Sequence, residues 1–192
     1  MTLPAEALRL LADWLPANDD PDRPRMQLAT VDASGLPDIR TVLLSEWNED
    51  GFSLHTDANS RKVEQLSAFP GAALDVLWPG FARQLVVQGR AERVDGEAER
   101  RVYGRRSPYL RQLAWQNTAE VAQLPREERA RRWAAFQVEH DLSELEPPRT
   151  WIGYLVRPVR LTFWEADADG PSHRVEFRLS DAGSWSRHDL PG

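Results

Sequence analysis

Cysteine is absent from the 192-residue sequence, which excludes disulfides, thiolate metal sites and cysteine nucleophiles together. Lysine is almost absent: of the 24 basic residues, Lys62 alone is not an arginine. A coding bias towards arginine accounts for the scarcity, but not for the place of that lysine. Long apolar runs are missing as well. No stretch approaches the roughly 20 apolar residues of a membrane helix. The first segment, "MTLPAEALRLLADWLPANDD", carries Glu6, Arg9 and Asp13 among its apolar residues, unlike the uncharged core of a signal peptide. The expectation is a soluble, cytoplasmic protein without a membrane partner. Positive charge is also in deficit, with a net charge of −6, so nucleic acid is not an expected partner and any anion site must be local. The common catalytic patterns GxSxG, HExxH and the glycine-rich phosphate loop do not occur, and four histidines are too scattered for a metal cluster. Serine hydrolysis and metal-dependent hydrolysis are poor candidates, and no metal site is expected.

What is present is a packed globular composition, 41% hydrophobic with eight tryptophans, and a length suited to one domain. Residues 5 to 15 have helical spacing, and "PANDDPDRP" after them is a linker that no helix or central strand would tolerate. The expected division is an N-terminal helix and linker over 1–25 and one domain over 26–192. "MQLATVD", "DIRTVLLSEW" and "FSLHTD" read as three antiparallel strands joined by tight turns. "SRKVEQLSAF" follows as a short helix with Val63, Leu66 and Phe69 on one face, and "GAALDVLW" and "ARQLVVQGRAERV" return to strand character. Residues from about 95 to 142 are rich in helix formers and predict two or three helices. "WIGYLVRPVRLTFWEA", "HRVEFRLS" and "SWSRHDL" predict strands again. With no repeat and no parallel βαβ rhythm, the order points to a mainly β (α+β) chain: a closed or nearly closed antiparallel barrel with flanking helices.

Lys62 falls in "HTDANSRKVEQL", where strand gives way to helix. Ser60 stands at the N-cap, its hydroxyl placed to accept a helix N–H. Arg61 and Lys62 in the first turn oppose the helix dipole unless an anion sits at the same end; either both point into solvent or a bound phosphate resolves the conflict. Arg40 on its strand faces solvent or meets a buried anion. Gln84 faces water or hydrogen-bonds a planar heterocycle. Trp164, like Trp115, Trp133 and Trp151, is core or a shelf for a ring. Arg174, Glu176 and Arg178 share one strand face by period two, as a solvated stripe or as part of a site.

Four of these segments, in order, resemble the pyridoxamine 5′-phosphate oxidase family of FMN-dependent enzymes: "ATVDASGLPDIRTVLL", "HTDANSRK", "ARQLVVQGRAERV" and "LTFWEADADGPSHRVEFR". The resemblance implies an FMN-binding split β-barrel, antiparallel and of Greek-key type, in a homodimer with FMN at the subunit interface. It implies that Arg40, Arg61 and Lys62, with Ser60, hold the FMN phosphate. Thr41, Val42, Leu43, Leu44, Ser45, His55 and Thr56 would line the flavin, and Gln84, Trp164 and Arg178 would reach its ring from the other subunit. His55 departs from a tyrosine common at its position. Gln116 and Thr118 are left undecided as further flavin contacts.

The substrate positions agree less well with that resemblance. Ser45 replaces a lysine of the oxidase acting on vitamin B6 phosphates. The rest of that enzyme's phosphate clamp aligns with Val102, Arg106 and Leu110, so only the arginine survives. Arg174 is retained in the signature, but Glu176 replaces its histidine. Arg174 and Glu176 are the catalytic candidates, and Ser45, Arg106, Arg174 and Glu176 the substrate contacts. Arg174 would orient substrate and Arg106 would hold an acidic group. Glu176 would accept a proton or bind an amine, or merely pair with Arg174 or Arg178. Losing three donors, each worth roughly 1–3 kcal/mol when buried, predicts weak binding of pyridoxine phosphate. Serine at position 45 is also a feature of relatives that oxidise phenazine precursors. The implied reaction is an FMN-dependent oxidation with O2 as acceptor; the alternatives are the phenazine-precursor branch and a flavin-binding module without turnover.

Overall fold

The computed structural model describes residues 2–94 and 96–192; residue 95, where the helical stretch was expected to begin, lies outside them. Helix α1 (Ala5–Trp14) buries Ala7, Leu11 and Trp14 at helical spacing. It packs into the same core as the strands, with Trp14 edge-on to Phe163 at 5.2 Å. Strands β1 (Arg25–Val31), β2 (Pro37–Leu43), β3 (Glu46–Asn48) and β4 (Gly51–Asp57) follow. "DIRTVLLSEW" is thus two strands rather than the expected one. Leu44 is fully buried at the break, and the Ser45 amide donates to Ser53 O at 2.8 Å.

Helix α2 (Arg61–Ala68) begins where expected. It buries Leu66 and half-buries Val63, whereas Phe69 lies past its last turn and is 47% exposed. Strands β5 (Gly71–Leu77) and β6 (Arg83–Arg93) lead into four helices among the described residues: α3 (Gly96–Gly104), α4 (Pro108–Gln116), α5 (Ala119–Ala122) and α6 (Arg126–Glu139). The expected two or three helices become four because Ser107 and Thr118 each accept a hydrogen bond from a helix amide and start a new helix. Strands β7 (Trp151–Glu165), β8 (His173–Leu179) and β9 (Trp185–Leu190) complete the chain.

Every strand pairing is antiparallel. The order is β2-β1-β5-β6-β7-β4-β3, with β8 and β9 added beyond β7. The two ends of that order, β2 and β3, are joined by Leu44 and Ser45 alone, so the sheet must curl until its edges meet. That is the expected barrel. Its core holds Leu28, Leu54, Leu74, Leu85, Val156 and Leu161. One edge of β7 pairs with β4 over Trp151–Val156 and then with β8 over Arg160–Glu165, so the strands on that edge diverge. Opposite Gln88 and Gly89, Val159 is an extra residue between Pro158 and Arg160, a bulge that bends β7. Gly89 is required there, because a Cβ would lie 2.2 Å from Arg157 O. No described helix is long and apolar enough to cross a membrane.

Candidate functional site

A cleft of about 430 Å³ opens between β2, β4, the start of α2, the first residues of β7 and helix α4. Thr41, Val42, Leu43, His55, Thr56, Ser60, Lys62 and Arg106, all singled out in the sequence, line it. Lys62, in that lining, donates from Nζ to Thr56 Oγ1 at 3.0 Å. Burial, then the nearby Arg40 charge, push the Lys62 ammonium below the usual lysine range. Among the described residues no carboxylate pairs with it. Ser60 occupies the N-cap with extended backbone, but its hydroxyl does not cap the helix as expected. It lies 3.2 Å from Thr56 Oγ1 instead. Thr56, at the end of β4, thus gathers both side chains, and the first amides of α2 are left without a side-chain acceptor.

Arg40 and Arg61 do not line the cleft beside Lys62. Both are held next to it by Asp38, whose Oδ2 is 2.8 Å from Arg40 Nη2 and 3.1 Å from Arg61 Nε. Arg40 also donates to Leu28 O, Thr30 Oγ1 and Gln65 Oε1 at 3.1, 2.6 and 2.7 Å. Of the two fates open to a strand arginine, this one meets an anion, and the anion is two residues away on its own strand face. That period-two spacing was the available signal for Asp38, which sequence reasoning missed.

Ser45, His55, Trp151 and Arg106 form a second cluster. Ser45 Oγ is 2.8 Å from His55 Nδ1, and the His55 ring stacks on Trp151 at 4.2 Å, tilted by 10°. Gly153 pairs with His55 across β4 and β7, and a Cβ there would meet Val94 at 2.3 Å and His55 Nε2 at 2.8 Å. Burial pulls the His55 pKa down to about 3, helped by the charges of Arg106, Arg101 and Arg93. His55 is therefore neutral at any physiological pH. Arg106 lies over Trp151 at 4.9 Å, in cation–π range. Burial lowers its pKa to about 10, and among the described residues its guanidinium has no carboxylate partner. Trp151 was flagged only as core or shelf, because its position beside His55 depends on strand pairing.

Ser45, Val102, Arg106 and Leu110, aligned with a phosphate clamp by resemblance, line one hollow of about 200 Å³ that shares Leu43, Arg106 and Leu110 with the cleft. Two other arginines reach it. Arg105 is paired with Glu46 at 3.0 Å, and Arg23 donates to Leu44 O and Ala17 O. Gln116 and Thr118 line neither space: Gln116 donates to Arg132 O, and Thr118 caps α5. Arg25, Tyr109, Leu113 and Asn117 line the cleft without having been singled out.

The remaining candidates gather elsewhere. Gln84, Trp164, Arg174 and Glu176 line a hollow of about 220 Å³ on β6, β7 and β8. Gln84 pairs with Trp164, and Trp164 with Arg174, across adjacent strands. Gln84 Nε2 donates to Asp75 Oδ1 at 2.9 Å. Glu176 is buried; burial would raise its pKa, but hydrogen bonds from Arg178 and Thr162 and the charges of Arg178 and Arg160 bring it below the usual range. Its partner is Arg178, whereas Arg174 Nε is buried without one. Between Gly153 under His55 and Trp164 here, β7 spans roughly 35 Å if extended at about 3.3 Å per residue. Within one chain the two groups of candidates cannot touch the same small molecule.

The family model described as pyridoxamine 5′-phosphate oxidase matches residues 20–162. The pyridoxine/pyridoxamine 5′-phosphate oxidase of Brucella ovis is 32% identical over 196 residues, covering 98% of this chain and 93% of that protein. That of Neisseria meningitidis serogroup C is 36% identical over 166 residues, covering 86% and 78%. Among solved structures, PhzG from Burkholderia lata 383 in complex with tetrahydrophenazine-1-carboxylic acid superposes with a TM-score of 0.80 at 21% identity, covering 98% of this chain and 94% of that one. A pyridoxamine 5′-phosphate oxidase-related, FMN binding protein from Nostoc punctiforme PCC 73102 gives 0.68 at 23% identity, covering 88% and 87%.

Proposed function

The chain belongs to the pyridoxamine 5′-phosphate oxidase family, and from that premise we propose that it is an FMN-dependent oxidase whose substrate site has diverged from that of the vitamin B6 phosphate oxidases. The observation that carries this reading is Lys62, a partly desolvated cation with no carboxylate partner among the described residues, in the lining of a cleft and at the start of a helix. The donors fit a mononucleotide. Lys62, the Ser60 and Thr56 hydroxyls and the uncapped amides of α2 converge where a phosphate would lie. The cleft volume also falls within the range of cofactor pockets. Thr41, Val42, Leu43 and His55 would flank the ring, with Ser45 in the adjoining hollow, whereas Leu44, expected beside it, turns its side chain into the core.

The flavin, when bound, would take a hydride from a substrate carbon at N5 and pass two electrons to O2. This chain's own residues bind and orient. Gln84, Trp164 and Arg178 are assigned to the flavin of a second copy, because the separation along β7 keeps them from the cleft of their own chain. The assembly that follows is a homodimer with the cofactor at its interface. Arg174 orients substrate over the ring, and Glu176, kept anionic by Arg178 and Arg160, presents a negative charge beside it. Arg106 holds an acidic group of the substrate.

A second reading, a larger and less phosphorylated substrate of the phenazine-precursor kind, is favoured by the hollow next to Arg106. There a clamp lysine and two hydroxyls give way to Ser45, Val102 and Leu110, and Ser45 is turned to a neutral histidine.

The visible spectrum of the purified protein and an FMN titration test the first step. A yellow protein, or one that takes up FMN, is expected; a colourless monomer that refuses FMN overturns the reading. Anaerobic bleaching by amines, alcohols, dihydro-aromatic acids and pyridoxine phosphate then tests turnover. Failure with every class makes it a flavin carrier, and bleaching by dihydro-aromatic acids alone selects the second reading.

A further inference from the structure

We propose that Asp38 is an internal anion that occupies Arg40 and Arg61 in place of a ligand phosphate and so lowers the affinity of this chain for its phosphate-bearing cofactor. The inference rests on the flavin reading of the cleft and goes beyond it. Three cations cluster at the start of α2, and two of them, Arg40 and Arg61, already share one carboxylate oxygen. Arg61 is 77% exposed, and Asp38 is its one ion-pair partner among the described residues. Arg40 has three other acceptors, Leu28 O, Thr30 Oγ1 and Gln65 Oε1, and does not need Asp38 to stay in place. Gln65 Nε2 also donates to Asp38 Oδ2 at 3.3 Å, so the carboxylate is itself fixed beside the cations. An incoming phosphate must compete with Asp38 for Arg61, or bind with Arg61 already neutralised. Asp57, also on the cleft, is the other carboxylate near Lys62. It accepts from the Asn59 amide and pairs with neither arginine.

The test compares FMN and riboflavin, which differ by the phosphate alone, in fluorescence titrations of the flavin-free dimer. Asp38→Asn keeps the shape and removes the charge. Because a half-exposed ion pair is weak, the variant is expected to bind FMN about three- to five-fold more tightly, with riboflavin unchanged. Arg61→Gln should cost FMN affinity little in the wild type and about three-fold or more in the Asp38→Asn background, where the arginine is free. FMN binding that is unchanged or weaker in Asp38→Asn overturns the proposal, as does an equal Arg61→Gln effect in both backgrounds. Asp38→Ser serves in the same scheme if the asparagine variant does not fold. A wild type that binds neither flavin defeats the flavin reading by itself. The thermal shift caused by inorganic pyrophosphate then decides the role of Asp38: a larger shift in Asp38→Asn supports it, and an equal or smaller one overturns it.

Discussion

Ser45 Oγ lies 2.8 Å from His55 Nδ1, so the two residues that the sequence resemblance marks as departures touch each other. His55 Nε2 is buried without a partner, and a buried orphan N–H is rarer than a bare acceptor. The proton therefore belongs on Nδ1, donated to Ser45, which leaves the Ser45 hydroxyl hydrogen free for a ligand. Nitrogen NMR of the histidine ring should report the Nδ1–H tautomer, and Ser45→Ala, which strands both ring nitrogens, should cost about 1–3 kcal/mol of stability. An Nε2–H tautomer would contradict the assignment.

The depressed pKa of His55 couples stability to pH. Its folded-state value, about 3, lies below the ordinary 6.5, so the unfolded chain takes up the proton first. The stability associated with neutral His55 is complete above about pH 6.5 and is lost as pH falls towards about 3, at up to about 1.4 kcal/mol per unit. Urea midpoints measured between pH 7 and pH 4 should therefore fall less steeply for His55→Gln than for the wild type. Parallel curves would show that the ring titrates normally.

Lys62→Met removes the cleft cation at the start of α2, which has no carboxylate partner among the described residues. A charge-assisted hydrogen bond of about 1.5–3 kcal/mol corresponds to an FMN affinity roughly ten- to a hundred-fold weaker, with riboflavin affinity little changed. Equal loss for both flavins would mean that the lysine shapes the cleft and does not meet the phosphate.

Arg106 is held by Trp151 and not by an anion, so its charge is free for substrate. Arg106→Gln should raise KM for acidic substrates about ten-fold or more while leaving flavin binding unchanged. An unchanged KM would remove Arg106 from the substrate site.

Much of this was legible along the chain. Helix α2 begins where "SRKVEQL" places it, and β6, β8 and β9 fall within the segments whose strand character predicts them. The errors are local. "DIRTVLLSEW" breaks at Leu44 because barrel closure turns the chain there, and Ser60 does not cap α2 because Thr56 draws its hydroxyl away. The pairing of Arg40 with Asp38 followed a period-two spacing that could have been read. The stacking of His55 on Trp151 could not, since it depends on which strands lie side by side and in what register.

The sequence by itself determined the succession of elements and the placing of its single lysine at a helix start, because periodicity and turn chemistry act between residues a few positions apart. Tertiary structure alone decided that Asp38 also reaches Arg61 on α2 and that His55 is held neutral over Gly153. It also decided that the two halves of the candidate site lie at opposite ends of β7. Those outcomes depend on the curl of the sheet and the register between distant strands, which bring charges and rings together irrespective of their distance along the chain.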